Sequence, residues 1–289
     1  MDEYRDNLFA GHLACAGCGE VLALKLVLQA AGKDSIASIV PSCLGIIIGP
    51  FPYATFNIPV FHGAFEAAAS TAAGISNALL AQGDDKTTVI ALAGDGGTTD
   101  IGFQALSGCA DRNENITYCC FDNEAYMNTG IQVSSSTPHL AWTMTTPLGK
   151  PLKKKNMVEI MAAHGIPYAA SACACFPDDL RTKITEAKKI KGMKYIHILS
   201  PCPTGWRFPE RLTPNVGRLA VETNYYPLYE VRNGQYRITH TPKNLPVAQY
   251  LKAQGRFRHL SVEEFETVQK EVDKSWARLI RRTESDEAC

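Results

Sequence analysis

Residues 88–130, TVIALAGDGGTTDIGFQALSGCADRNENITYCCFDNEAYMNTG, decide the fold. TVIALAG (88–94) is a short apolar run that stops at Gly-Asp-Gly, so it reads as a buried strand ending in a turn. A helix over 101–111 and a second apolar run, ITYCCF (116–121), follow. Strand, helix, strand is the unit of a parallel sheet covered by helices.

The same alternation extends outward in both directions. Upstream, VLALKLVLQAAG (21–32) reads as a helix, SIASIV (35–40) as a strand and AFEAAASTAAGISNALLA (64–81) as a closely packed helix. Downstream come helices over 156–164 and 177–190, with strands near PYAASA and at KYIHILS (194–200). The expected fold is α/β, a doubly wound, mostly parallel sheet. Beyond residue 202 the periodicity gives way to a Pro-, Arg- and Tyr-rich stretch and a charged helix over 261–283. The economical division is a catalytic domain over 1–202 and a C-terminal extension over 203–289 that contacts partner subunits.

Composition narrows the function. With 29 basic and 29 acidic residues the formal charge is zero, so nothing in the overall balance recruits nucleic acid or an anionic membrane surface. The start, MDEYRDNLFAGHLACAGCGE, lacks a basic segment followed by an apolar run, and no later stretch suits a bilayer span. A cytoplasmic location is expected. Ten cysteines in such a chain point to metal or redox chemistry rather than disulfides.

Four of those cysteines stand out by position. Cys15 and Cys18 lie in CAGCGE, just ahead of a predicted helix whose amides and dipole favour thiolate over thiol. Cys43 and Cys202 each follow a predicted strand, where ligands gather in an open α/β sheet. Four thiolates can hold zinc or an iron–sulfur cluster, and the spacing alone does not separate them.

The turn after residue 93 carries the second site. Gly94, Gly96 and Gly97 let the backbone approach a diphosphate. Asp95 and the Asn123 side-chain oxygen supply hard ligands for Mg²⁺, and the Ala125 carbonyl completes the protein's share. A lone Gly-Asp-Gly is also an ordinary turn; the Asn at the next strand end favours a thiamine diphosphate site.

ACAGCGE, GDGGTTDIGFQALSG, DNEAYMNTGIQ, AAHGIPY and PCPTGW, with VETNYYPLYEV and LKAQGRFRHL in the tail, together resemble the β subunit of pyruvate:ferredoxin oxidoreductase and its 2-oxoacid relatives. The resemblance covers nearly the whole chain. It implies a thiamine-diphosphate-binding fold and a [4Fe–4S] cluster on Cys15, Cys18, Cys43 and Cys202. It also implies Mg²⁺ held by Asp95, Asn123 and Ala125, cofactor contacts from Thr129 and Gly130, and a catalytic Asn128 near the reacting carbon. The implied reaction is oxidative decarboxylation of a 2-oxo acid to acyl-coenzyme A, with electrons leaving to ferredoxin. The implied partners are α-, γ- and δ-type subunits. LGIIIGPFPY after Cys43 departs from the Glu- and Thr-rich stretch of pyruvate enzymes, so oxalate, branched-chain and aryl 2-oxo acids stand beside pyruvate, the leading substrate. A different class of function is a four-cysteine electron-transfer or structural metal subunit that has lost thiamine.

The remaining candidates have plainer readings. The carboxylate that activates the aminopyrimidine is expected from a partner, with Glu20 and Glu66 as local alternatives. Cys109, Cys119, Cys120, Cys173 and Cys175 read as small buried hydrophobes, and Cys289 as part of a frayed tail. His62, near a helix start, reads as a packed histidine ahead of one facing the cofactor, and Lys153, Lys154 and Lys155 read as a solvated turn, with an anion or coenzyme A contact as the alternative.

Overall fold

The computed structural model describes residues 7–286. The acidic start at Met1–Asp6 and the Cys289 tail lie outside the described residues. The strands are β1 (Ser35–Ile39), β2 (Val60–His62), β3 (Thr88–Gly94), β4 (Thr117–Asp122), β5 (Tyr168–Cys173), β6 (Lys194–Leu199), β7 (Tyr229–Arg232) and β8 (Gln235–Ile238). They form one sheet in the order β2-β1-β3-β4-β6-β5-β7-β8. The first six run parallel; β7 and β8 return antiparallel on the β5 edge.

Alternate strand residues feed two cores. Ile39, Ile90, Leu92, Phe121 and Ile198 pack with α1 (Gly19–Ala31), α2 (Cys43–Ile47) and α6 (Pro177–Lys188). Ala91, Ala93, Tyr118 and Tyr195 pack on the other face with α3 (Ala68–Ala81), α4 (Phe103–Asp111) and α5 (Met157–Ala163). Both faces are covered, which is why the strands read as continuous apolar runs. The alanines of α3, with Ala68, Ala69, Ala72 and Ala73 buried, let that helix lie close to the sheet.

Residues after 202 build α7 (Pro203–Trp206), α8 (Thr213–Glu222), α9 (Val247–Lys252) and α10 (Val262–Asp286), together with the β7–β8 hairpin. The helices share a third core around the fully buried Trp206, Tyr250 and Phe257, whereas Tyr229 and Val231 of the hairpin join the second core. The two hairpin strands were not anticipated from the sequence. They are short edge strands carrying Arg232 and Arg237, both ion-paired to the buried Glu230, so they lack an apolar run. Two further boundaries differ from expectation: the helix expected from 64 begins at Ala68, and a π-helical turn over Gly97–Ile101 precedes α4. No helix among the described residues is long and apolar enough to cross a membrane.

Candidate active site

The chain leaves β1 towards β2 on one side of the sheet and leaves β3 towards β4 on the other. Adjacent strands with opposite exits open a crevice beyond their carboxyl ends, the place where open α/β sheets bind ligands. A cavity of about 230 Å³ occupies it. Pro41, Ser42 and Cys43 line it from the end of β1, and Gly94, Asp95, Gly96 and Gly97 from the end of β3. Beyond β4 come Asn123 and the stretch from Ala125 to Thr129, while Glu20 of α1 and Phe65 close the sides.

The glycines are required by space. A Cβ on Gly96 would lie 2.2 Å from the Tyr126 ring, and one on Gly97 would lie 3.1 Å from Phe65. The Tyr126 hydroxyl donates to Asp100 at 2.9 Å, so the ring that forbids a side chain at Gly96 is itself fixed. The π-helical turn at Gly97–Ile101 lies directly beyond, and such bulges concentrate at functional sites.

The polar groups in the cavity are buried and incompletely paired. Asp95 is 2 % exposed and accepts from Ser134 Oγ at 2.5 Å. Burial, with the nearby Asp122 charge, pushes its carboxyl well above the usual range. Glu20 is buried and pushed up to about 7 by desolvation. Its Oε2 accepts from Asn123 Nδ2 at 3.0 Å, while Glu20 Oε1 and Asn123 Oδ1 have no hydrogen-bond partner among the described residues. A buried oxygen left without a donor costs free energy. With Asp95 it forms the oxygen donor set a hard divalent cation takes, so these residues fit a magnesium–diphosphate group. Ala125, also buried, already accepts from Met127 N at 2.8 Å through its carbonyl, which leaves one lone pair.

Behind the cavity a buried ion network holds the loop after β4. Lys154 Nζ donates to Asp122 Oδ2 and, at 2.8 Å, to Glu124 Oε1. Arg256 Nη2 pairs with Glu124 Oε2 at 2.5 Å and lies over the Trp206 ring at 4.0 Å. His197 Nε2 reaches Asp122 Oδ2 at 2.7 Å, and Trp206 Nε1 donates to the Asn123 carbonyl at 2.7 Å. Glu124 itself has φ 68, a conformation few non-glycine residues hold without such anchoring. Burial alone would lower the Lys154 value; the Asp122 and Glu124 carboxylates outweigh it and raise it. Breaking one partner of a buried pair strands the other, so Arg256→Met is expected to cost about 3–5 kcal/mol of stability. Chemical denaturation of the variant measures it, and a loss below 1 kcal/mol would contradict the account.

The four thiols approach the same edge. Gly19 N donates to the Pro201 carbonyl at 3.0 Å, which ties the Cys18 loop to the Cys202 segment. Cys202 Sγ accepts from Gly205 N at 3.3 Å, and Asn123 Nδ2 lies 3.8 Å from Cys43 Sγ. Each of Cys18, Cys43 and Cys202 feels the charge of at least one other of these thiols. One expectation is reversed. Cys18 caps α1 with no side-chain hydrogen bond, and burial with the neighbouring Glu20 charge pushes its thiol up to about 12. Desolvation also raises Cys43, and it raises Cys202 to about 11. At these sulfurs burial outweighs the helix amides and favours the thiol in the metal-free site, and a metal bound there would displace protons.

Residues 46–198 match the family described as thiamine pyrophosphate enzyme, C-terminal TPP binding domain. Over 284 residues the chain is 50% identical to pyruvate synthase subunit PorB of Methanocaldococcus jannaschii, covering 93% of this chain and 95% of that one. It is 47% identical to ketoisovalerate oxidoreductase subunit VorB of Pyrococcus abyssi, covering 97% and 94%. The chain belongs to the 2-oxoacid:ferredoxin oxidoreductase β-subunit family. Its fold is similar to that of 2-oxoglutarate:ferredoxin oxidoreductase from Magnetococcus marinus, with a TM-score of 0.62 at 22% identity over 92% of this chain and 94% of that one.

Within this oxidoreductase subunit the other expected residues fall out unevenly. Asn128 and Thr129 line the mouth of the cavity and are exposed. Gly130, at φ 117, turns the loop away and does not line it. The left-handed residues there are Gly130 and Ile131, not Asn128. Glu66 is exposed and outside the cavity, whereas Glu20 is inside it. His62 is exposed at the end of β2 rather than packed at a helix start. The lysine run is no simple solvated turn: Lys153 is exposed, but Lys154 is the centre of the ion network, and Lys155 donates to the Thr99 carbonyl at 2.5 Å. Cys109, Cys119, Cys120, Cys173 and Cys175 are buried free thiols. Sequence reasoning missed Ser134, Lys154, Arg256 and Trp206, whose roles depend on pairings across the fold; the only signal was that PCPTGW and LKAQGRFRHL stand out as motifs.

Proposed function

We propose that this chain is the thiamine-diphosphate-binding subunit of a coenzyme-A-acylating 2-oxoacid:ferredoxin oxidoreductase, with pyruvate as substrate. The observation that carries it is the pairing, in one buried cavity, of unpartnered Asn123 Oδ1 and Glu20 Oε1 with Asp95 and the edge of Cys43. In this reading Asp95, Asn123 and the Ala125 carbonyl hold Mg²⁺, Gly94, Gly96, Gly97 and Thr129 surround the cofactor, and Gly130 shapes the loop beyond them without lining the cavity. Cys15, Cys18, Cys43 and Cys202 hold a [4Fe–4S] cluster. Among the described residues no group of three or more His, Cys, Asp or Glu side chains is already drawn together around a metal position, so the cysteines would close on the cluster as it binds.

When bound, thiamine diphosphate supplies the carbon nucleophile and the electron sink that 2-oxo acid decarboxylation requires. The chain's own residues do the rest. Asn128 at the mouth places an amide donor where negative charge develops on the substrate oxygen. Glu20, held near neutrality, can keep or release a proton beside the cavity. Cys43 lines the cavity, and with Cys15, Cys18 and Cys202 it would hold the cluster, which would supply one-electron acceptor chemistry beside the cofactor.

Among the described residues no Lys or Arg lines the cavity, and in this reading a partner chain supplies the cation that meets the substrate carboxylate. Exposed apolar side chains support the same conclusion: Phe51 is 94% exposed, Tyr53 81% and Leu148 91%, and such patches mark protein contacts. The α-, γ- and δ-type subunits are the partners in this reading, the stretch 203–289 contributes to their interface, and ferredoxin takes the electrons.

A second reading replaces pyruvate by the branched-chain 3-methyl-2-oxobutanoate, since the VorB relative is nearly as similar as the PorB one. Coenzyme-A-dependent reduction of a low-potential acceptor by the purified complex, across pyruvate, 3-methyl-2-oxobutanoate and 2-oxoglutarate, decides between them. The highest kcat/KM is expected for pyruvate; a tenfold preference for another acid overturns the substrate, and no turnover with any overturns the reaction.

A further inference from the structure

A second, larger cleft opens on the far side of the ion network. Its volume is about 800 Å³, against about 230 Å³ for the cofactor cavity. One wall is the segment carrying Lys153, Lys154 and Lys155; the other is α10, which presents Lys270, Lys274, Arg278 and Arg281. Among the described residues only two carboxylates, Glu159 and Glu271, line it. Both are committed, Glu271 to Lys153 at 2.9 Å and His139 at 3.3 Å, and Glu159 to Arg278 at 3.1 Å.

The cation excess is costly as it stands. Lys270, Lys274 and Arg278 follow one another at i, i+4 along α10, a like-charge spacing that destabilises a helix. Low-dielectric walls sharpen the field of such a row, and here Met157, Val268, Val272 and Leu279 are buried apolar walls. The floor holds the half-buried Tyr226, with the buried His197 and Tyr229 beneath, the latter stacked on Tyr236, so Tyr226 is the aromatic face open to a flat ring. The volume falls within the roughly 300–1,000 Å³ of small-molecule sites.

We propose that this cleft binds a nucleoside polyphosphate, its phosphates met by the α10 row and Lys155, its base seated against Tyr226. Free ATP or ADP and the 3′-phospho-ADP end of coenzyme A share this chemistry. The three rim cations Lys270, Lys274 and Arg281 have no carboxylate partner among the described residues and are all exposed, so they are available to a ligand and can be changed without touching the core.

The test is calorimetric titration of the thiamine-loaded complex with ATP, inorganic tripolyphosphate and adenosine. Saturable ATP binding is expected, tighter than tripolyphosphate, with adenosine undetected. Raising ionic strength from low to 0.15 M weakens it. The Lys270→Ala/Lys274→Ala/Arg281→Ala variant is expected to bind ATP at least tenfold more weakly, and Lys274→Glu alone to weaken it in the same direction, with gel filtration and thiamine diphosphate content as the check that both remain assembled. Displacement of ATP by coenzyme A identifies the cosubstrate's nucleotide end as the occupant, and ATP binding indifferent to coenzyme A identifies a free nucleotide. Absence of ATP binding, as when an acidic segment of a partner subunit fills the cleft, overturns the proposal, as does binding unchanged by the triple variant or tripolyphosphate binding tighter than ATP.

Discussion

Asp95→Ala is expected to lose thiamine diphosphate from the purified complex, with retention in Mg²⁺ buffer weakened by at least about a hundredfold, which corresponds to about 2.7 kcal/mol. The reason is local. Asp95 is the buried anion at the end of β3, held by Ser134, and Asn123 Oδ1 across the cavity is neutral. Removing the carboxylate leaves the cation without a charged protein ligand in a desolvated site. The same burial that favours the protonated acid in the empty cavity means that a divalent cation must displace a proton to bind. Asp95→Asn keeps the shape and Ser134 contact and is expected to fall between the two. Cofactor content at the wild-type level in Asp95→Ala, measured after gel filtration, would remove Asp95 from the site.

Replacing Cys202 is expected to separate two activities. The Cys202 segment closes the carboxyl edge of the sheet against the Cys18 loop through Gly19 N and the Pro201 carbonyl, away from the backbone that cradles a diphosphate. A Cys202→Ser complex that is folded and loaded with thiamine diphosphate should still release CO₂ from the 2-oxo acid. Its acceptor reduction should drop by at least about a hundredfold, a difference of about 2.7 kcal/mol in the barrier to electron exit. Equal loss of both activities in a loaded complex would show that the thiol edge and the carbon chemistry are not separable.

How far the sequence reaches depends on the range of the interaction. TVIALAG was expected as a strand over 88–94, and β3 spans Thr88–Gly94, because a buried parallel strand flanked by a glycine turn is a local pattern. The Asp95 and Asn123 positions follow from the same logic, since the ends of β3 and β4 lie side by side, with Gly94 paired to Phe121. The β7–β8 hairpin was hidden because edge strands with alternating exposure and two arginines carry no apolar run. Lys154 was misread for a different reason: three consecutive lysines look like surface, and only the fold brings Asp122 and Glu124 to the middle one. Arg256 lies far along the chain from Glu124, and no local pattern announces that pairing. The Cys18 expectation failed because a helix terminus contributes about 0.3–1 kcal/mol at exposed sites, whereas burying a charged sulfur next to Glu20 works against thiolate with greater force.

The most direct measurement of the central claim is an anomalous diffraction map of the anaerobically purified complex at the iron edge. The claim is that one chain sets two groups side by side at the carboxyl edge of its sheet. The account predicts an iron peak enclosed by Cys15, Cys18, Cys43 and Cys202, with diphosphate and metal density in the neighbouring cavity against Asp95 and Asn123. A zinc peak at the cysteines, or cofactor density anywhere other than this crevice, would contradict it.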